Sequence, residues 1–400
     1  MNAIFLAAPH RVMFFGGAVQ TLLAIAFWAV DLGARYAGLY AAPFWPFPSV
    51  WLHALLMLYG VFSFFVFGFL MTALPKWVGG TALERRRYLP PFLLMAAGWA
   101  MFYLALRVPA LVVFSLLLVA AGWSWGWWSL LGAARLGANQ DKRHAWAALG
   151  ALGVGVPGLL AFAAGLRTGD AGWVRLAIEC GLWGVLLPLF VTVSHRMLPF
   201  FSSMVIPRYK IYRSMPLLWV LLACFAAHAL GAGLGRPGWV WPSDALAAGV
   251  ALFLSWKWQV HRSFAEPLVA MHHVATLWLG AGLALYAVQG GLGSLGIGWG
   301  GLAPLHALGI GYCASMLLGM ATRVTLGHSG QAPAADRWTW GLFWALQGVA
   351  ALRLAGDFLS FGGAGNLFWL AALGWLAVFG AWCWLYLPIY LKPRSDGAQG

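Results

Sequence analysis

Twelve stretches of about twenty apolar residues tile this chain from end to end. A segment of that length crosses the hydrocarbon core of a bilayer, where every backbone polar group must be satisfied within the segment itself. The pattern therefore predicts an all-α integral membrane fold, a polytopic bundle of about twelve transmembrane helices. Of the 400 residues, 62% are hydrophobic and only 8% charged, against roughly 25% charged in soluble domains. Most of the surface must face lipid. Breaks at charge, proline and glycine place the helices near 12–30, 50–74, 89–106, 109–131, 145–166, 173–195, 216–234, 242–260, 267–288, 303–326, 338–355 and 366–391. No loop is long enough to fold independently, so residues 1–400 read as a single twelve-helix transmembrane domain.

A formal net charge of +14 would suggest nucleic acid as the partner of a soluble protein. Here the basic residues lie in short loops, and their sidedness carries the information instead. One side holds Arg11, Lys76, Arg85 to Arg87, Arg135, Lys142, Arg143, Arg196, Arg208, Lys210, Arg213, Lys257, Arg262, Arg323, Arg337, Lys392 and Arg394. The other holds only Arg35, Arg107, Arg167, Arg175, Arg236 and Arg353. Basic side chains mark the cytoplasmic face. The expectation is an even number of spans, both termini in the cytoplasm, a lipid bilayer as the principal partner and no nucleic acid. The first apolar span lacks a small-residue cleavage site after it, so it reads as a retained helix.

The four cysteines, Cys180, Cys224, Cys313 and Cys383, all lie within apolar spans and show no CxxC spacing. They form neither a disulfide framework nor a zinc or iron–sulfur signature. The 51 glycines read as helix-packing residues. The 26 tryptophans gather near span ends, as an interfacial belt does.

Ionisable and metal-ligating side chains inside such spans are the candidates for chemistry. The tenth span runs from His306 through Cys313, Met316 and Met320 to Arg323 and His328. At 100° per residue His306, Cys313, Met320 and His328 fall on one stripe. Imidazole, thiol and thioether suit haem iron and copper. The two histidines are separated by about 33 Å along the axis, so they serve opposite faces. On the second span His53 and Met57 stand at i and i+4, on one side of the helix, and His53 reaches the same outer depth as His306. Such a pair can supply both axial ligands of a haem, or one haem and one copper ligand. Each also reads as an interfacial histidine bonded to a carbonyl. The ninth span carries the adjacent His272 and His273. Haem–copper oxidases use a His-His pair too, but with a His-x-His further on that this sequence lacks, and that superfamily is set aside. His10, His273 and His328 lie toward the inner face as candidate copper ligands, with His272 and His195 in reserve. His144, His228 and His261 read as loop or packing residues. Glu179 reads as the one acidic residue set within a span, either paired with an arginine or handling protons. Arg323 either snorkels or neutralises a haem propionate.

Taken together these segments resemble the NnrS family of bacterial membrane proteins over nearly the whole length. The most specific piece is His306 to Gly330, with Met320-Ala-Thr-Arg323-Val-Thr-Leu-Gly-His328-Ser-Gly330 similar to the family's Met-Thr-Arg-x-x-Leu-Gly-His-Thr-Gly block. Pro9-His-Arg11-Val-Met-Phe-Phe15, Leu74-Pro75-Lys-Trp77-Val-Gly79 and Pro267 to Gly280 match three further family segments in order. The resemblance implies haem, expected as haem b, and copper, in a protein of the bacterial inner membrane. It further implies a role in nitric oxide metabolism and relief of nitrosative stress, with nitric oxide or another small diatomic as ligand and an unknown electron donor. One departure stands out. Where the family's second span reads His-Ala-His-Glu-Met, this one reads His53-Ala54-Leu55-Leu56-Met57.

The reading that follows is an integral membrane protein binding haem through His53 and His306, with Met57 and Arg323 close by, that reduces or sequesters nitric oxide. A membrane transporter and a non-catalytic haem or copper sensor are the alternatives. The inner set His10, His273 and His328 is expected to hold copper poorly, because His273 begins about 9 Å inside its helix while His328 lies at the end of its own.

Overall fold

In the computed structural model the structure describes residues 4–359 and 364–397. Among these residues there is no strand; twelve long helices follow one another, joined by short loops and single turns. They are α1 (Pro9–Arg35), α2 (Ser49–Trp77), α3 (Arg85–Ala105), α4 (Pro109–Leu136), α5 (Arg143–Thr168) and α6 (Ala171–Val205). The second half comprises α7 (Met215–Gly233), α8 (Trp241–Lys257), α9 (Pro267–Ser294), α10 (Ala303–His328), α11 (Arg337–Phe358) and α12 (Gly365–Tyr390). Ten of the twelve are long and apolar enough to cross a membrane. The two that fall short do so for visible reasons: α8 has 17 residues, about 25 Å of rise, and α11 carries the Arg353–Asp357 ion pair.

The chain ends its helices with ordinary chemistry. Asp170 caps α6 by accepting from the Gly172 amide, and Asp336 caps α11 by accepting from the Thr339 amide at 2.8 Å. Gly169, at φ +74°, takes the left-handed conformation that closes α5. Sequential helices form antiparallel hairpins, with α3 on α4, α8 on α9 and α11 on α12, and α1 packs against both α2 and α12. The Arg11 guanidinium donates to the carbonyls of Tyr390 and Lys392 at 3.0 and 2.8 Å. The start of α1 and the end of α12 thus meet at one face of the bundle, which fits an even number of crossings.

Two helices are enclosed more than the rest. In both α2 and α10, 83% of the apolar window is buried inside the protein, against 39% in α3 and 33% in α7. A helix surrounded by other helices can hold polar side chains away from lipid. These two carry His53 and His306.

Three helices are not regular. Leu56–Val61 in α2, Cys180–Leu186 in α6 and Ala307–Ala314 in α10 are π-helical. Such wide turns leave backbone carbonyls and a displaced face, and they concentrate at functional sites. One of them has a plain local cause: Pro188 follows the α6 segment and lacks the N–H that would restore the α-helical bond. The α2 and α6 segments touch each other through Tyr59, whose hydroxyl donates to Ala177 O at 2.6 Å. The ring fits only because α5 offers glycine there. A Cβ on Gly158 would stand 2.0 Å from the Tyr59 oxygen.

Candidate functional site

An apolar cavity with an empty volume of about 1150 Å³ opens between α1, α2, α6, α10, α11 and α12. It lies in the half of the bundle away from the end where Arg11 meets Lys392, the half that the loop charges predict to be outer and that is called so below. His53 of α2 and His306 of α10 both line it, as do Met57, Trp28, Arg353 and Trp375. The three π segments all contribute to its wall, through Met57 and Leu58, through Leu182 and Leu186, and through Gly309 and Ile310. Widening each helix by one residue per turn at the same level opens the space that regular helices would fill with side chains.

The two imidazoles are prepared differently. His306 Nδ1 lies 2.9 Å from Leu302 O. A carbonyl only accepts, so Nδ1 carries the proton and Nε2 of the neutral ring keeps its lone pair. That backbone bond also fixes the ring's orientation, as the outer partner of a metal-bound histidine does. His53 lies flat on Trp28, ring centroids 4.2 Å apart and planes 10° apart. Its Nδ1 is buried without a hydrogen-bond partner. An orphaned ring nitrogen on a cavity wall is costly unless a ligand completes it. Arg353 places a guanidinium in the same wall, braced by Asp357 at 2.7 Å and lying 4.1 Å over the Phe368 ring.

Arg323, expected beside the haem, stands elsewhere. Its guanidinium lies 3.9 Å over the Phe201 ring and reaches the Met204 sulfur, toward the inner face. The cation of the outer cavity is Arg353, which sequence reading passed over as one of six outer-side arginines. The stripe His306, Cys313, Met320 and His328 does not survive either. Eight residues of π-helix between Ala307 and Ala314 change the angular step. Cys313 is fully buried away from the cavity, and Met320 lines a separate apolar gap with Phe14 and Phe65.

The inner histidines do not converge on one point. His10 and His328 face each other with ring centroids 4.8 Å apart. His273 is engaged with the Ser202 hydroxyl at 2.9 Å, and His272 donates from Nδ1 to Leu268 O at 2.7 Å. The set His10, His273 and His328 therefore splits into a pair on α1 and α10 and a residue on α9 turned to α6. Among the described residues no three side chains of the types His, Cys, Asp and Glu are grouped so as to hold a metal ion. His144 and His195 form a bonded couple of their own. His195 Nε2 donates to Ser214 O at 3.1 Å, which leaves its Nδ1 to accept from His144 Nε2 at 2.9 Å.

Glu179 is not the one buried acid of the spans. Asp244 of α8 is 1% exposed and bonded by both oxygens to His228 Nδ1, at 2.8 and 3.0 Å. Asp31 of α1 is buried as well. His228, read from sequence as a packing residue, stacks on Trp183 at 3.5 Å. The signal that could have found this group is an acid within the eighth apolar stretch, sixteen positions from a histidine in the seventh.

The NnrS family profile matches residues 4–394. This chain belongs to the NnrS family. Among curated proteins none matches. The structure is similar to one described as a heme-copper terminal oxidase dimer, with a TM-score of 0.69 and 12% identity. The match covers 98% of this chain and 85% of that one. At that identity the likeness is one of fold. The shared fold leaves the motif evidence as it stands: this sequence has the adjacent His272 and His273 but no His-x-His.

Proposed function

We propose that this NnrS-family protein is a haem b protein of the bacterial inner membrane, both termini cytoplasmic, which reduces or sequesters nitric oxide in defence against nitrosative stress. One observation carries the haem reading: His53 and His306, from the two most enclosed helices, line a single apolar cavity whose wall holds one arginine. The residues fit the group. Two imidazoles match the ligand chemistry of haem iron, the apolar walls suit a macrocycle, and Arg353 suits a propionate carboxylate. Haem iron would supply one-electron chemistry and a binding position for a diatomic ligand.

The chain's own residues would do the rest. Leu302 O holds His306 in the tautomer whose Nε2 can bind. Trp28 holds the His53 ring flat. The leucine and tryptophan side chains of the wall exclude water, and Asp357 holds the Arg353 guanidinium in place.

A second reading is favoured by the same pair of imidazoles. If both bind one iron, no position stays open, and the protein carries electrons or senses haem rather than turning over a ligand. The test is optical. The purified protein is expected to show a Soret band with stoichiometric iron, and the reduced protein to change its spectrum on adding nitric oxide. No Soret band and no iron would overturn the haem reading and leave a transporter. A haem spectrum untouched by nitric oxide would favour the six-coordinate reading.

A further inference from the structure

A second cavity, with an empty volume of about 950 Å³, lies beside the first and shares Ile178, Leu182 and Leu305 with it. Its rim comes from the α7–α8 link and the end of α9, through Gly238, Val240 and Gly293, on the outer side of the bundle. Its lining is unlike that of its neighbour. It gathers Glu179 from α6, His228 from α7, Asp244 from α8, and Tyr286 and Gln289 from α9. Two carboxyls, an imidazole and a phenol are set here in a helix bundle at membrane depth, where ionisable groups are rare and mark functional sites, proton relays among them.

Each group has a defined state of engagement. Asp244 is taken up by His228 Nδ1, which leaves Nε2 outside that bond, and His228 lines the cavity. Gln289 is fixed by the carbonyls of Trp299 and Gly301, both at 2.8 Å. The Tyr286 ring stands edge-on to His228 at 5.2 Å. Glu179 is different. Its Oε2 is buried and makes no hydrogen bond, and it follows Ile178 directly, at the partition between the two cavities. The residue after it opens the π segment of α6, whose Leu182 belongs to both walls. Arg175, one turn earlier on α6, is exposed.

We propose that this cavity is the proton port of the haem pocket, with Glu179 as the carrier across the partition. Water fills this second cavity. The imidazolium of His228, held by Asp244, gives its proton to the Glu179 carboxylate. Glu179 turns past Leu182 and Leu305 and delivers that proton to an atom in the neighbouring pocket that is gaining negative charge. His228 is reprotonated from water at the rim. No electron moves in these steps. This inference rests on the haem reading above, since reducing a diatomic ligand consumes protons that apolar walls cannot supply.

The test uses the full chain in proteoliposomes, with a pH indicator placed on one side at a time. In infrared spectra, the carboxyl C=O band of Glu179 is expected to exchange with deuterium and to titrate with the medium outside the rim, and to vanish in Glu179→Gln. Rapid reduction of the haem is expected to draw protons from the rim side. The rate of that uptake should fall on the order of 10²-fold in Glu179→Gln, as when a positioned acid is removed, while Soret absorbance and iron content stay unchanged. Asp244→Asn should slow uptake in the same direction and so guards against misfolding of one variant. Uptake at the parental rate in both variants, or uptake from the side of His10 and His328, overturns the proposal. If the protein holds no haem, the haem reading fails on its own. The infrared exchange of Glu179 then decides separately whether the port exists, and a band that neither exchanges nor titrates ends it.

Discussion

The inner half of the bundle holds more histidines than the outer half, and the two halves use them in different ways. In the outer half His53 and His306 approach a common empty space, one with an orphaned nitrogen and the other with a nitrogen freed by a backbone bond. In the inner half His144 binds His195, His273 binds Ser202, and His10 lies against His328. The difference is volume. Three helices take π turns at the level of His53 and His306, and the cavity lies between them. At the inner level the same helices are regular and their side chains close on one another. An unpartnered ring nitrogen does not by itself separate the halves, since His10, His144, His272 and His273 each have one as His53 does. What separates them is that His53 and His306 face a shared cavity while the inner rings pack on side chains.

The largest expected effect tests that contrast directly. His306→Ala should reduce Soret absorbance per mole of protein to roughly a tenth or less, since an axial ligand is itself the bond between iron and chain. His53→Ala should alter the spectrum and lower occupancy. His10→Ala and His328→Ala should leave both intact. All four should insert normally, because hydropathy sets the helices. The reverse outcome, haem lost from the inner pair and kept in both outer variants, would exchange the roles of the two halves.

A smaller effect concerns what opens the cavity. Gly158→Ala places a methyl 2.0 Å from the Tyr59 hydroxyl, against a ring that α2 and α6 use to hold their π segments together. Overpacking of this kind costs about 1–3 kcal/mol, and the Tm in detergent should fall accordingly. Tyr59→Phe, which only deletes the bond to Ala177 O, should cost about 0.5–1.5 kcal/mol. Haem occupancy should drop in Gly158→Ala if the π turns hold the cavity open, and stay unchanged if they do not.

Much of the architecture was legible in the sequence, because hydropathy and loop charge act over whole segments. The helices predicted near 50–74 and 303–326 correspond to Ser49–Trp77 and Ala303–His328, and His53 and His306 were paired by depth alone. What was not legible was angular. The stripe through His306, Cys313, Met320 and His328 assumes 100° at every residue, and nothing in Ala307–Ala314 advertises the wider step. Arg353 was hidden for a similar reason: its place in the cavity depends on which face α11 turns to α12. The His228–Asp244 couple needed two helices brought side by side, a tertiary fact that no spacing along one helix can carry.

The inner couple offers a finer test of the same contrast. His195→Ala leaves His144 with two buried, unpartnered nitrogens, since its Nδ1 already has none. Stability should fall by about 1–3 kcal/mol, the cost of an unsatisfied buried polar group. The spectrum should not change. A double variant, His144→Phe with His195→Leu, should recover part of the loss, because removing both partners strands neither. A change in haem content in either variant would show that the inner half reaches the outer site.

The smallest effect belongs to the charged loop just outside that couple. The side chain of Arg143 donates to both oxygens of Asp141, at 2.9 and 2.8 Å, and these bonds hold the carboxyl well below its ordinary range. A carboxyl whose pKa is depressed by folding stabilises the fold at pH above its unfolded value, about 3.9, and loses that contribution as pH falls below it. Yet both side chains are more than half exposed, at 56% and 55%, so solvent screens most of the attraction. Asp141→Asn should leave the Tm at pH 7 unchanged within the scatter of the measurement. The parent and variant should remain together at pH 5 and differ least of all well below pH 4, once pH has fallen through the depressed folded value and the parent carboxyl is protonated too. A drop of several degrees at pH 7 would mean that the inner rim is held by its charges rather than by the packed histidines and aromatic rings above it.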